Sequence, residues 1–395
     1  MSAASTTRPA CYSRAVRSFP VLGILLLCFC GGGGNSEGDQ RGTTYTAFGD
    51  SFTYCYGVVV PADCYVNRIA AAKNWTFTND GYNGTAANDP EQFGVIVQIV
   101  NGTTANYSWL CCVNDMRNNL NAAQIATWQT VVEAGLWWLA TPESNKIRSK
   151  SSSITYAESW SLPPSNYSGN MQAATSNGAT AFFAVFGTDV VVIPGWQLGN
   201  TSTYSITVDG TTYGPFNTNQ GAYTSIAFST NYGPGCFHLL GLEEQIHNVT
   251  FTCASTSGSG NPCYFIAGGT SFRANLEEAP YVYLGETARL EVSPDNGYNV
   301  TTSPGCPVAP CGSLALTTSF DQYARWAVAD LAAVKLKVAF VDVNSYYTPN
   351  TTNTQSDGVH PTDIGDRFIA QAFLASINGF ISATDRAATQ SFNQP

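Results

Sequence analysis

From Thr43 onward, short continuous apolar runs alternate with stretches whose apolar positions recur every three or four residues. Thr43 to Phe48 reads as a buried strand that ends at a glycine. Pro61 to Lys73 predicts a helix with proline at its start and Val66, Ile69 and Ala70 on one face. Thr76 to Thr78 predicts a short second strand. Asn88-Asp89-Pro90-Glu91 then opens a helix that runs through Val100. Tyr107 to Val113 predicts a third strand, and Asn121 to Leu139 a long helix with Ile125, Trp128, Val132 and Trp137 on its apolar positions. Strands and helices alternating at these lengths imply a parallel sheet covered on both faces.

The period changes near Pro142. Residues 144–175 are rich in Ser, Asn and Lys and read as an exposed connection. From Ala179 to about Phe272 the pattern is strand and turn without a helix. Ala181–Phe186, Asp189–Ile193, Thr203–Val208, Tyr223–Phe228, Cys236–Leu240 and Val249–Cys253 are the candidate strands, and Asp209-Gly210 is a hairpin signal. Short strands at this spacing imply a jelly-roll-like β-sandwich. Alternation then resumes, with Tyr281–Leu284 and Val338–Val343 as strands and Phe320–Leu336 as a helix. The last helix runs from Pro361 to about Ile381, with Ile364, Phe368, Ile369 and Phe373 facing inward. The expected organisation is an α/β domain in two halves, 43–142 and 276–385, interrupted by a β-module at 143–275. Such insertion is tolerated because the ends of a compact module lie close together.

The start of the chain changes the compartment expected. Arg8, Arg14 and Arg17 precede an apolar run from Phe19 to Cys30, too short to span a bilayer comfortably. Residues 1–30 therefore read as a signal peptide and 31–42 as a flexible linker, which predicts a secreted or cell-surface protein without a transmembrane span. Asn-x-Ser/Thr at Asn74, Asn83, Asn101, Asn106, Asn166, Asn200, Asn248, Asn299 and Asn350 agrees with export. A net charge of −10, with no basic run, argues against nucleic acid as a partner. Of twelve cysteines, Cys11, Cys28 and Cys30 fall in the leader. Cys55/Cys64, Cys253/Cys263 and Cys306/Cys311 bracket turns and are expected to pair. Cys111, Cys112 and Cys236 remain, at least one of them a free thiol or an intermolecular partner, with Cys112 expected as a small core residue.

Two stretches carry chemistry. Phe48-Gly49-Asp50-Ser51-Phe52-Thr53 puts a serine at a strand-to-helix turn, and Asp357-Gly358-Val359-His360-Pro361 puts a carboxylate three residues before a histidine. Ser51, His360 and Asp357 supply a hydroxyl nucleophile, a base to take its proton and an acid to hold the imidazole tautomer. The chain has three histidines. His238 lies in a strand-like run and reads as structural, and His247, beside Asn248, reads as exposed, which leaves His360 as the base. Metal and cofactor are not expected: there is no His-Glu-x-x-His motif, no phosphate-binding loop and no Gly-x-Ser-x-Gly elbow.

Gly-Asp-Ser followed by a distant Asp-x-x-His resembles the GDSL/SGNH hydrolase family. Two further blocks of that family match Gly84, in Asn79 to Thr85, and Cys112-Val113-Asn114-Asp115, where Cys112 replaces the usual glycine. The resemblance covers roughly 43–120 and 278–382. It implies a three-layer, flavodoxin-like parallel sheet. It also implies an oxyanion hole made of the Ser51 and Gly84 N–H groups and the Asn114 amide. Asp115 either holds the Asn114 loop or sits in solvent. The polar, acidic exterior and the β-module favour a small acyl ester, such as an O-acetyl group on a polysaccharide, as substrate. A lipase or phospholipase-like esterase, and a non-catalytic carbohydrate-binding surface protein, are the alternatives. Trp160, Trp196, Tyr204 and Tyr213 are candidates to stack on sugar rings, with core packing as their competing use.

Overall fold

The computed structural model describes residues 42–98, 104–117, 120–161, 171–219, 232–256, 261–270, 277–289 and 314–391. The signal peptide, the Tyr223–Phe228 strand, the Cys306/Cys311 pair and the sequons at Asn101, Asn166 and Asn299 lie outside the described residues. The first half of the α/β domain contributes strands β1 (Thr44–Gly49), β2 (Thr76–Gly81) and β3 (Asn106–Leu110). Its helices are α1 (Ser51–Tyr54), α2 (Tyr65–Lys73), α3 (Val95–Gln98), α4 (Val113–Arg117) and α5 (Ala122–Ala140). The module supplies β4 (Lys146–Arg148), β5 (Thr155–Ala157), β6 (Trp160–Ser161), β7 (Gln172–Ala174), β8 (Thr180–Gln197), β9 (Thr203–Val208) and β10 (Thr211–Asn217). It continues with β11 (Tyr232–Pro234), β12 (Phe237–Ser255) and β13 (Cys263–Gly269). The second half brings β14 (Tyr281–Gly285), α6 (Leu314–Ala333), β15 (Val338–Val341) and α7 (Asp363–Ser391).

β1, β2, β3, β14 and β15 form one sheet in the order β15-β14-β3-β1-β2, with every pairing parallel. Numbered within the domain this is 2-1-3-4-5, the doubly wound order in which ligands bind beyond the carboxyl ends of the strands. Side chains alternate across the sheet. Thus Trp109 faces α5, while Leu110 lies on the side of Phe373 in α7. α2 and α7 cover one face, with Tyr65 and Phe373 stacked at 5.5 Å, and α5 and α6 cover the other, with Trp128 and Phe320 stacked at 4.1 Å. The expected three-layer, flavodoxin-like α/β architecture is therefore present, and the β-module enters between β3 and β14.

The local reasons are visible. Asn121 caps α5 by accepting from the N–H groups of Ala123 and Gln124, while the Gln124 side chain accepts from the Asn121 N–H. From Trp128 to Ala140 this helix is apolar nearly all round and is buried nearly all round. The sheet takes one side. The module takes the other, so Trp137 and Trp138 share a single core with Val191, Ile193, Tyr264 and Ile266. Arg148 and Lys146 of β4 lie over the Trp138 ring, at 5.1 and 5.3 Å.

The β-module is antiparallel and is built around two long strands, which corrects the expectation of six short ones. β8 and β12 run 18 and 19 residues, each spanning two of the expected strands. The stretch after Leu240 forms a bulge: Leu240 pairs with Asp189, and pairing resumes at Gln245 with Gly187. His247 fixes this bulge and is 1% exposed, against the expectation of an exposed side chain. Its Nδ1 meets Asp209 Oδ2 at 2.6 Å, and its Nε2 faces the Gly187 and Glu243 carbonyls. His238 is buried, as expected. Residues 144–175 are not a plain exposed connection, because β4 to β7 all pair into this sheet. Trp160 packs on Tyr156 and Phe251, and Tyr204 stacks on Phe251. Trp196, Tyr204 and Tyr213 also line a cleft of about 950 Å³ between the module and α5.

Two of the expected disulfides, Cys55–Cys64 and Cys253–Cys263, are present. A third, Cys111–Cys112, corrects the reading of these two as left over from the pairing. β3 ends at Leu110, so strand alternation does not reach them. Cys236 is the cysteine outside these bonds among the described residues. In α7 the expectation of an inward Ile364 also fails; it is 41% exposed at the helix start, whereas Ile369 and Phe373 are buried. No helix of the described residues is long and apolar enough to cross a membrane.

The close fit of α5 on the sheet can be tested at Gly135. A Cβ there would lie 2.4 Å from the Trp109 ring, and that ring is fixed by an Nε1–H donated to Gln92 Oε1 at 2.9 Å. Alanine gains about 1 kcal/mol of helix propensity, but overpacking a dense core costs about 1–3 kcal/mol. Gly135→Ala is expected to destabilise by about 1–2 kcal/mol in urea denaturation. A net gain in stability would show that this contact is soft.

Candidate active site

The site is assembled at the carboxyl ends of β1, β2, β3 and β15. At the end of β1 the chain must turn sharply into α1. Gly49 has φ 154°, and a Cβ there would lie 2.0 Å from the Leu110 carbonyl oxygen, so only glycine fits. Asp50 is fully buried and caps α1: its Oδ1 accepts from Phe52 N–H at 3.1 Å, and its Oδ2 accepts from Val113 N–H at 3.2 Å. Burial raises the Asp50 carboxyl to about 7, with the Phe52 and Val113 bonds and the Arg117 charge opposing the rise. Thr53 braces the turn from below, its hydroxyl within 2.8 Å of the Tyr65 hydroxyl. Ser51, the predicted nucleophile, is therefore the first residue of a helix held at both its start and its base.

The predicted base and acid sit on the loop after β15. Asp357 uses both oxygens. Oδ1 accepts from the Val359 and His360 N–H groups at 2.9 and 3.0 Å, and Oδ2 meets His360 Nδ1 at 2.6 Å. Partial burial pushes this carboxyl up, but the His360 ring and the two N–H groups outweigh it and hold it at about 2. An ionised carboxylate cannot donate, so Nδ1 carries the hydrogen, and in the neutral ring Nε2 is the acceptor. Gly358 makes the turn possible at φ 72°.

Three contacts bring this loop to Ser51. The Tyr56 ring lies 4.4 Å from the His360 ring, with the Phe52 ring at 6.1 Å. Tyr56 N–H donates to the Ser51 carbonyl at 3.0 Å, and the Tyr56 carbonyl accepts from Gln355 Nε2 at 2.9 Å. Gln355 in turn donates its N–H to the His360 carbonyl at 2.7 Å. Tyr56 and Gln355 were not singled out from the sequence. Their partners lie some 300 positions away in the chain, and nothing local marks them.

Asn114 meets the loop of Gly84 at Thr85. Asn114 is buried; its Nδ2 donates to the Thr85 carbonyl at 2.9 Å, and its Oδ1 accepts from Arg117 at 3.1 Å, which fixes the amide orientation. Asp115 is fully buried and accepts from Ala87 N–H at 2.9 Å, so it ties α4 to the loop after Gly84 and is not a solvated side chain. Gly84 has φ 80°. Gly81, the other glycine of this stretch, already gives its N–H to Asn79 Oδ1 at 2.9 Å and is not available as a donor. Its missing Cβ serves close packing, since one would stand 2.4 Å from the Tyr54 nitrogen. No group of His, Cys, Asp and Glu that could hold a metal ion occurs among the described residues.

No protein-family model matches this sequence, and no curated protein does. Several solved structures are similar to it. A lipolytic protein of the G-D-S-L family from Veillonella parvula matches at TM-score 0.36 and 11% identity, over 84% of this chain and 96% of its own. A putative lipolytic protein of the same family from Desulfitobacterium hafniense matches at TM-score 0.36 and 7% identity, over 84% and 97%. A two-domain esterase active on acetylated mannans matches at TM-score 0.34 and 11% identity, over 58% and 91%. At such identities the roles of the residues rest on their own geometry.

The Asp357 carboxyl lies below its ordinary 3.8 in the folded chain. Its contribution to stability is therefore fully present above the unfolded value of about 4 and is lost as pH falls toward about 2. The stability difference between wild type and Asp357→Asn, followed by urea denaturation, is expected to shrink as pH falls from about 4 toward about 2. A difference independent of pH would show that the His360 bond does not hold the carboxylate.

The sequons give a second expectation. Asn106 and Asn200 are buried and donate to backbone carbonyls, so neither amide is open to a glycan in the folded chain. Asn74, Asn83, Asn248 and Asn350 are exposed. Asn83 adjoins Gly84, so a glycan there would crowd the site. Glycopeptide mass spectrometry of protein from a glycosylating secretory host is expected to find Asn83 empty. High occupancy at Asn83 in active protein would rule out Gly84 as an oxyanion donor.

Proposed function

We propose that the chain is a secreted serine ester hydrolase of GDSL/SGNH type that removes small acyl groups, chiefly O-acetyl, from carbohydrate. The observation that carries this reading is the Asp357–His360 pair, bonded at Nδ1 and held by Tyr56 against the turn of Ser51. With Nε2 unprotonated, His360 takes the Ser51 proton as the hydroxyl attacks the ester carbonyl and returns it to the leaving alcohol. Asp357 stabilises the imidazolium and does not itself take the proton. The Ser51 and Gly84 N–H groups and the second N–H of the Asn114 amide receive the oxyanion; the first is spent on Thr85. Water repeats the attack on the acyl-enzyme and frees the acid.

For the substrate, the support lies at the rim. Tyr54, Tyr56 and Tyr82 are 55%, 43% and 47% exposed, on segments that leave the Ser51 turn and the β2 end. Exposed tyrosines offer flat faces and polar edges, which suits a sugar ring. A second reading, an ester of longer acyl chain, is favoured by Val59 and Val60, which are 83% and 47% exposed just past Tyr56. The disulfides and the expected leader support secretion.

Ser51→Ala is expected to abolish labelling by a serine-directed phosphonate and to lower kcat by about 10⁴-fold or more, with His360→Ala close behind. Asp357→Asn is expected to cost about 10²–10⁴-fold through the wrong tautomer. Unchanged activity in the serine variant would sink the mechanism. On p-nitrophenyl esters of graded length, kcat/KM is expected to peak at acetyl and to fall beyond butyryl, followed by acetate release from acetylated glycans. A maximum at eight carbons or more would favour the lipid reading.

A further inference from the structure

Cys111 and Cys112 are bonded to each other across a single peptide and are 2% and 1% exposed. They form the link between β3 and α4. Cys112 has φ 88°, in the left-handed region that residues other than glycine enter at a cost. The neighbours explain why the backbone goes there. Asp50 N–H donates to the Leu110 carbonyl at 3.4 Å, and Val113 N–H donates back to Asp50 Oδ2 at 3.2 Å. Between Leu110 and Val113 the chain must reverse, so that a carbonyl before the turn and an amide after it both address residue 50. The Cys112 carbonyl then accepts from Met116 N–H at 2.9 Å and opens α4, whose second residue is Asn114.

Glycine would make this reversal freely. Here every residue of the turn carries a side chain, and the disulfide closes a small ring around the peptide between its two cysteines. We propose that the Cys111–Cys112 disulfide is a positioning element of the active site, a covalent substitute for a glycine, which holds Asn114 at the oxyanion and Val113 N–H on Asp50. This rests on the reading of Asn114 as an oxyanion donor. The burial of both sulfurs fits this role rather than that of a nucleophile. The site is therefore complete only when the two thiols are oxidised.

Two measurements test it. Peptide mapping of the whole, unreduced protein is expected to show Cys111 and Cys112 unalkylated, in a peptide two hydrogens lighter than its thiol form. Alkylation of both would overturn the proposal. Next, Cys111→Ala with Cys112→Ala is compared with Cys111→Ala with Cys112→Gly. The alanine pair is expected to lower kcat by about 10–100-fold with KM nearly unchanged, since loss of an oxyanion donor costs about 10²–10³. The glycine pair is expected to restore kcat to within about threefold of wild type, because glycine takes the positive φ without cost. Equal kcat in the two variants, with both folded by circular dichroism, would overturn it. If the wild-type protein hydrolyses no ester, the reading of the site falls, while the mapping still decides the disulfide.

Discussion

The buried carboxylate of Asp50 is the constraint on which the site depends. A carboxyl group taken out of water is tolerable only if its oxygens are hydrogen-bonded. Asp50 meets that condition with two backbone N–H groups, one from the helix after β1 and one from the turn after β3. Those turns carry Ser51 and Asn114. One desolvated group thus sets the separation between the hydroxyl and the amide, and neither turn can drift without stranding an oxygen. Gly49 makes the arrangement possible, because any side chain there would strike the Leu110 carbonyl.

Against this fixed floor, the loop that carries Asp357 and His360 is held from above. It reaches the Ser51 turn through Gln355 and the Tyr56 ring, at the surface, and depends on few hydrogen bonds. The two halves of the chemistry therefore differ in kind. Ser51 and Asn114 are set by the core, while His360 is set by a bridge from a half-buried loop to the exposed Tyr56.

How much of this was legible in the sequence follows from the range of the interactions. The parallel sheet could be read because strands such as Thr44–Gly49 and Asn106–Leu110 are short, mostly apolar and separated by stretches of helical period. The blocks at Gly49–Ser51 and Asp357–His360 could be read because turn chemistry is local. β8 and β12 could not. Their polar middles are explained by a bulge in β12, where His247 meets Asp209 and the Gly187 carbonyl, partners 38 and 60 positions away in the chain. The Cys111–Cys112 bond escaped because strand alternation was carried past Leu110, where the strand had already ended. Tyr56 and Gln355 have meaning only through contacts across the whole chain.

The seam between α5 and the module bears on how such a protein can change. An autonomous appended domain can be dropped or exchanged, because few contacts cross its boundary. Here Trp137 and Trp138 lie in a core shared with β8 and β13, and Gly269 leaves out a side chain so that the Trp137 ring can pass. Deleting the module would uncover two tryptophan faces on the helix that backs the parallel sheet, and each aromatic of this kind buries about 150–250 Å². The insertion is entrenched: the α/β half has surrendered its own surface to it. Shuffling the module between scaffolds would carry a solubility penalty on both sides of the cut.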